Sequence, residues 1–222
     1  MLTLLFVLIK VPLQIVCSLG LALLAHQKLR MIGFVRSAMF MPVVTSMVIV
    51  SIVWAMIYHP NNGLLNGLLA LLGLPPQGFL NDSRQALPAV LFTSLWKDVA
   101  YTMIIFLAGL QGIPSTFYDA AQVDGASKFK LFWYITLPLL RSTMLFVTVI
   151  TTINTFQIYT PVYVMTKGGP LQATNVVVYF IYERAFLFNE MGYASALSVT
   201  VLLMILAVSL VEMRLMRGHV EY

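Results

Sequence analysis

Residues 113–140 read IPSTFYDAAQVDGASKFKLFWYITLPLL. This amphipathic, helix-forming segment, with Asp119, Asp124, Lys128 and Lys130, lies between two apolar stretches, Leu87–Leu110 and Ser142–Met165, each near the ~20 residues needed to cross a hydrocarbon core. A long amphipathic connection between two such stretches must emerge from the bilayer, so its own signals decide what it can do. Pro114 with Ser115 and Thr116 marks a helix start, and the spacing Thr116-x-x-Asp119 fits a capping box that puts Asp119 in the first turn. Asp124-Gly125 stops that helix, because glycine accepts the left-handed conformation of a helix end. A second amphipathic helix is expected over 127–136, ending near Leu137 because Pro138 disfavours a helical residue before it. Phe129, Phe132 and Trp133 would then give the pair a rigid apolar face suited to a soluble partner, or an aromatic anchor at the lipid interface.

The rest of the chain supports this setting. Of 222 residues, 60% are apolar and only 9% are charged, with a mean hydropathy of +0.90. Ordinary soluble domains carry roughly 25% charged residues, so a water-facing globule is excluded. Besides the two stretches already named, Leu2–Leu24, Ser37–Tyr58 and Met191–Leu210 are long enough to span. The expected fold is therefore an all-α integral membrane protein with five visible transmembrane helices, forming one domain over 1–222. Leu64–Leu72, bracketed by Asn61-Asn62-Gly63 and Pro75-Pro76-Gln77-Gly78, is too short to span and reads as a small helix at one face. Residues 176–188 read as another. The net charge of +5 is scattered and forms no basic stripe for nucleic acid. The single cysteine, Cys17, sits in an apolar run and can form no intrachain disulfide.

Loop charges orient the spans. Lys28, Arg30, Arg36, Lys128, Lys130, Arg141, Arg214 and Arg217 fall on one side, against Arg84, Lys167 and Arg184 on the other. The positive-inside rule then places the 113–140 loop and the C-terminus in the cytoplasm and the N-terminus outside. A chain that enters the bilayer at Met1 from outside, with no cationic anchor, leads to the expectation of a further span upstream.

Asp119-Ala120-Ala121, three residues, Gly125, nine residues, Ile135, one residue and Leu137-Pro138 resemble the "EAA" loop of permease subunits of binding-protein-dependent ABC importers, with aspartate for the usual glutamate. Pro12-Leu13-Gln14, Trp54 with Asn61–Asn66, Leu107–Pro114, Gly168-Gly169-Pro170 and Gly192-Tyr193-Ala194 extend the resemblance to the sugar-type subunit over nearly the whole chain. The resemblance implies a type I importer fold in the inner membrane, a short helix around Asp119–Gly125 seated on a separate ABC ATPase dimer, a second permease subunit and an extracytoplasmic solute-binding protein. It also implies that ATP and Mg²⁺ belong to the ATPase. In agreement, the chain has no Gly-Lys dipeptide and so no phosphate-cradling loop of the usual form, which leaves it a transport subunit without bound cofactor.

The fourth span carries a polar stripe, Thr148, Thr151, Asn154, Thr155 and Gln157. Hydroxyls and amides at this spacing suit a sugar in a central pathway, and equally suit interhelical hydrogen bonding. Tyr159 and Pro161 extend the same line. Lys10 lies in mid-span, where a charge costs ~2.5–3.5 kcal/mol on the insertion scale and must face protein or water. The adjacent Lys97-Asp98 reads either as a snorkelled structural pair or as part of a pathway. His26, His59 and His219 show no metal spacing, and Gly63-x-x-x-Gly67 falls in a loop as turn chemistry. A gradient-driven transporter would need more buried acids than Asp98 and Glu190. A membrane enzyme would need catalytic motifs that do not occur. A glycerol phosphate or other polyol derivative is the alternative cargo to a sugar, and a basic pocket is what would distinguish them.

Overall fold

The computed structural model describes residues 1–26 and 39–216. Lys28, Arg30, Arg36, Arg217, His219 and the start of the Ser37–Tyr58 stretch lie outside them. All regular structure among the described residues is helical. In chain order the helices are α1 (Leu2–His26), α2 (Met47–Ile57), α3 (Leu64–Leu71), α4 (Ala86–Gln111), α5 (Ser115–Val123), α6 (Lys128–Leu131), α7 (Leu137–Leu139), α8 (Arg141–Phe156), α9 (Thr160–Met165), α10 (Val177–Tyr182) and α11 (Met191–Met216). Leu2–His26, Ala86–Gln111, Arg141–Met165 and Met191–Met216 are long and apolar enough to cross a bilayer.

The expected second span is not one helix. Residues 39–44 are helical, Thr45 bends the chain, and Ser46 is non-helical at φ −60°, ψ 137° before α2 begins. Val43, Val44 and Thr45 form a β-branched run that loses rotamer freedom in a helix, and Thr45 Oγ1 donates back to Met41 O at 3.2 Å. The fourth span is interrupted as well, at 157–159, with Pro161 in the first turn of α9.

α1 is the axis of the bundle. Thr3, Phe6, Val7, Lys10, Val11, Gln14, Ser18, Leu19, Ala22 and Ala25 are buried at three- and four-residue spacing, while Leu4, Leu8, Leu13 and Val16 stay exposed. Exposed leucine and valine on a helix of this length present a lipid-facing or partner-facing side. α1 and α4 run parallel, since Lys10 meets Asp98 and Gln14 meets Thr102 at one constant offset of 88 residues. At one end Leu19 and Ala22 pack with Met103, Phe106 and Leu110 of α4 and with Leu140 and Val147. At the other, Phe6 packs with Val90, Leu91, Ile158, Val162 and Tyr179. Between them Val7 and Val11 meet Phe156, Val201 and Ile205, which brings in α8 and α11.

Close approaches fix the helices at each end. A Cβ at Gly109 would lie 2.6 Å from Thr143 Oγ1 and 3.0 Å from Leu140, so α4 and α8 meet there only because residue 109 has no side chain. Arg141 Nε donates to Met216 O, which joins the start of α8 to the end of α11, and Val177 N donates to Thr3 Oγ1 at the opposite end. Lys128, Lys130, Arg141 and Arg214 thus share one end of the bundle, and Arg84, Lys167 and Arg184 share the other.

Candidate functional site

The segment between α4 and α8 forms a hairpin of short helices beyond the hydrophobic core. Pro114, extended at φ −58°, ψ 135°, precedes α5, and its fixed φ costs nothing at a helix entry. The expected capping box is not formed. α5 begins at Ser115, which puts Thr116 inside the first turn and Asp119 beyond it, and no side chain caps the entry. Asp119 and Ala120 are exposed, and α5 has no buried residue. Its stop is the expected one: Gly125 takes φ +74°, Gly125 N donates to Gln122 O at 3.0 Å, and Ala126 N donates to Ala121 O at 2.9 Å. This double bond pattern is a Schellman motif.

Ser127 then opens the second limb, its Oγ accepting from Lys130 N. The expected end at Leu137 does not occur. Phe132–Thr136 widen into a π turn in which Leu137 N donates to Phe132 O, and α7 continues through Pro138. The shift to five-residue bonding absorbs the N–H that proline lacks. The aromatic face is divided: Phe129 and Trp133 are exposed, while Phe132, like Leu137, packs against the core beside Leu140. Ile135 is half-buried and Pro138 exposed. Tyr118 and Thr136 share a hydroxyl hydrogen bond at 3.1 Å that ties α5 to the π turn. Leu140, at φ −80°, ψ −2°, is the single turn residue between α7 and α8, so the second limb of the hairpin leads directly into α8.

A second feature lies inside the bundle, where α1, α4 and α8, with Val43 of the helical residues 39–44, line a cavity of about 190 Å³. Two residues of the polar stripe, Thr151 and Asn154, line it. Thr148 donates to Met144 O instead, Thr155 is fully buried, and Gln157 is exposed at the C-cap of α8. The facing walls bring residues that the sequence had left undecided. Lys10, 2% exposed, sits with its Nζ 2.6 Å from Asp98 Oδ2. Gln14 Nε2 donates to Thr102 Oγ1 one turn along, at 3.5 Å. Lys97 and Tyr101 also line the cavity. Gln14 Oε1 and Thr151 Oγ1 are buried without a hydrogen-bond partner. Lys10-x-x-x-Gln14 on α1 and Asp98-x-x-x-Thr102 on α4 are each spaced for one helix face, which was the available signal; what the sequence lacked was the register of α1 against α4.

Two other clusters went unread. Thr152 donates to Glu212 at 2.7 Å and joins α8 to α11. At the end away from the hairpin, Tyr159 lies with ring centroids 5.4 Å from Tyr163 and 5.3 Å from Tyr182, and Tyr179 stacks behind them. Burial, with Glu183 adding to it, pushes the Tyr179 phenol up.

Comparison with known proteins agrees with this architecture. Residues 14–218 match the family described as binding-protein-dependent transport system inner membrane component. The probable ABC transporter permease YurN of Bacillus subtilis is 35% identical over 98% of this chain and 76% of its own length. The sn-glycerol-3-phosphate permease UgpA of Agrobacterium fabrum is 33% identical over 92% of this chain and 71% of its own. The trehalose/maltose permease MalF of Thermococcus litoralis is 31% identical over 96% and 72%. A chain of a bacterial alginate ABC transporter, crystallised with a pentasaccharide-bound periplasmic protein, superposes with a TM-score of 0.90 over 97% of this chain and 76% of its own at 22% identity, and so shares the fold. Sequence, helix arrangement and these relatives together make the chain a member of the binding-protein-dependent transport system family of inner-membrane components, with permeases named for sugars and for glycerol phosphate among its relatives.

Proposed function

We propose that this chain forms half the pathway of an ATP-driven importer that moves a sugar or oligosaccharide across the inner membrane by alternating access. The hairpin end and the C-terminus face the cytoplasm, where an ABC ATPase dimer carrying ATP and Mg²⁺ grips the hairpin. A second permease completes the pathway, and an extracytoplasmic binding protein delivers the solute. Residues 1–222 act as one transmembrane domain, and this chain contributes movement rather than catalysis.

The observation that carries this reading is α5. Its nine residues include none that is fully buried, its side-chain tie to the rest of the hairpin is Tyr118 to Thr136, and a helix that short is marginal in water, so a partner supplies the rest of its support. Asp119, Ala120 and Ala121 stand on this helix, and Gly125 fixes its end. Ile135, Leu137 and Pro138 belong to the turn that leads into α8. α8 contributes Thr151 and Asn154 to the cavity wall. A partner that binds the hairpin differently in two nucleotide states would bias two arrangements of the bundle, as any such coupling requires.

The cavity supports a hydroxylated cargo. Gln14, Thr102, Thr151 and Asn154 offer donors and acceptors to a polyol. Lys97, on the same wall, favours the glycerol phosphate alternative more than the fourth span alone would suggest.

The test is uptake by the complete transporter carrying Asp119→Ala with Gly125→Val. ATP-dependent uptake is lost and the ATPase no longer co-purifies, while the chain remains in the membrane. Undiminished uptake overturns the assignment.

A further inference from the structure

We propose that the cavity selects for charge: it accepts a sugar or polyol carrying one anionic group, a carboxylate, sulfonate or phosphate, and Lys97 is the residue that meets the anion. This rests on the permease reading above and adds the substrate class.

The argument begins with charge. The cavity lining holds two cations, Lys10 and Lys97, and one anion, Asp98. Lys10 is committed, since its ammonium lies 2.6 Å from Asp98 Oδ2 and its side chain is only 3% exposed. Lys97 is half-buried, and no described residue pairs with it. The lining thus carries one uncompensated positive charge at membrane depth, where unpaired charges are costly and mark substrate or ion pathways.

Hydrogen bonding adds a second, independent indication. Gln14 is 3% exposed and Thr151 is 2% exposed, yet Gln14 Oε1 and Thr151 Oγ1 have no partner. Buried polar atoms of this kind call for one. The oxygen of Gln14 accepts only, so it requires a hydroxyl or water hydrogen, while Thr151 can give or accept. A solute with hydroxyls on one side and an anionic group on the other satisfies all three residues at once. A neutral polyol would satisfy the two oxygens and leave Lys97 unpaired.

Size sets a limit as well. The cavity of about 190 Å³ equals roughly six water molecules at about 30 Å³ each. The part of the pathway that this chain walls has room for one ring or head group. Names of relatives do not decide the matter, since one is named for trehalose and maltose and another for glycerol phosphate.

The experiment uses the complete transporter with its binding protein and ATPase, offered three matched pairs: a uronate disaccharide and its methyl ester, a 6-sulfonated glycoside and its unsulfonated parent, and a sugar phosphate and its parent sugar. The wild type imports the anionic member of at least one pair. Lys97→Gln slows that import about tenfold or more, as expected for loss of a hydrogen bond to a charged group, and Lys97→Arg, which keeps the charge, retains most of it. Import of neutral members only, or anion import unchanged by Lys97→Gln, overturns the charge assignment and leaves the permease reading standing. Absence of ATP-dependent import of every probe tells against the permease reading and removes the basis of this one.

Discussion

The hairpin and the cavity are assembled by different means. Everything the hairpin uses lies between Ile113 and Leu140, and no residue of α5 is fully buried. The cavity draws its walls from four helical segments, α1, α4, α8 and residues 39–44, with Lys10 and Asp98 88 positions apart and Thr151 farther along the chain. A surface meant for a partner can be written locally, because it needs only a shape and a stop. A buried polar site needs mutual satisfaction of distant side chains, and the packing of the intervening helices supplies it.

This comparison breaks most directly at Gly125. Its φ of +74° demands a left-handed residue, while a Cβ there would meet nothing within 4 Å. Gly125→Val therefore fails by conformation and not by collision, at about 1–2 kcal/mol, and transport is lost because the helix stop moves. Gly125→Asn, which tolerates the left-handed region, preserves most uptake. If valine and asparagine transport equally well, the hairpin is not the shaped element described here.

The cavity gives the next largest effect. Lys10→Met leaves the carboxylate of Asp98, whose side chain is 36% exposed, without its cation and destabilises the chain by somewhat less than the ~3 kcal/mol of a fully buried pair, read as a lower unfolding temperature in detergent. Lys10→Met together with Asp98→Leu recovers most of the loss, because replacing both members of a buried pair is often nearly neutral. Additive losses would show that the two residues do not depend on each other.

A smaller effect is expected where the two regions join. Gly109→Val pushes into Thr143 and Leu140 and costs about 1–3 kcal/mol as an overpacked contact. The smallest belongs to Tyr118→Phe, which removes the hydroxyl bond to Thr136 and costs about 1 kcal/mol. Transport by that variant falls only modestly, since the Schellman stop and the π turn remain.

The same contrast explains what could be read beforehand. The crossings Leu2–Leu24, Leu87–Leu110, Ser142–Met165 and Met191–Leu210 agree with the helices to within a few residues because hydropathy is a local property. Gly125 was legible for the same reason. Local rules misjudged Pro138, since a π turn can supply what an α-helix loses, and Thr116–Asp119, since Pro114 sets the entry two residues earlier. The break at Thr45 escaped the hydropathy count, which registers apolarity and not β-branching. In the cavity, the stripe on α8 was visible, but only Thr151 and Asn154 reach the lining. Lys10 was evident as a charge needing a partner, and Asp98 as a charge with an undecided one. Their pairing required the parallel register of α1 and α4, which no local pattern contains.

Contact between the hairpin and an ATPase is the claim on which the rest depends, and the lone cysteine makes it measurable. With Cys17→Ser as background, Ala120→Cys on α5 and Leu171→Cys, which replaces a residue 91% exposed at the opposite end, are treated with a short thiol cross-linker in membranes containing the whole transporter. The account predicts an adduct with the ATPase from position 120 and none from position 171. No ATPase adduct from position 120, or equal adducts from both, would contradict it.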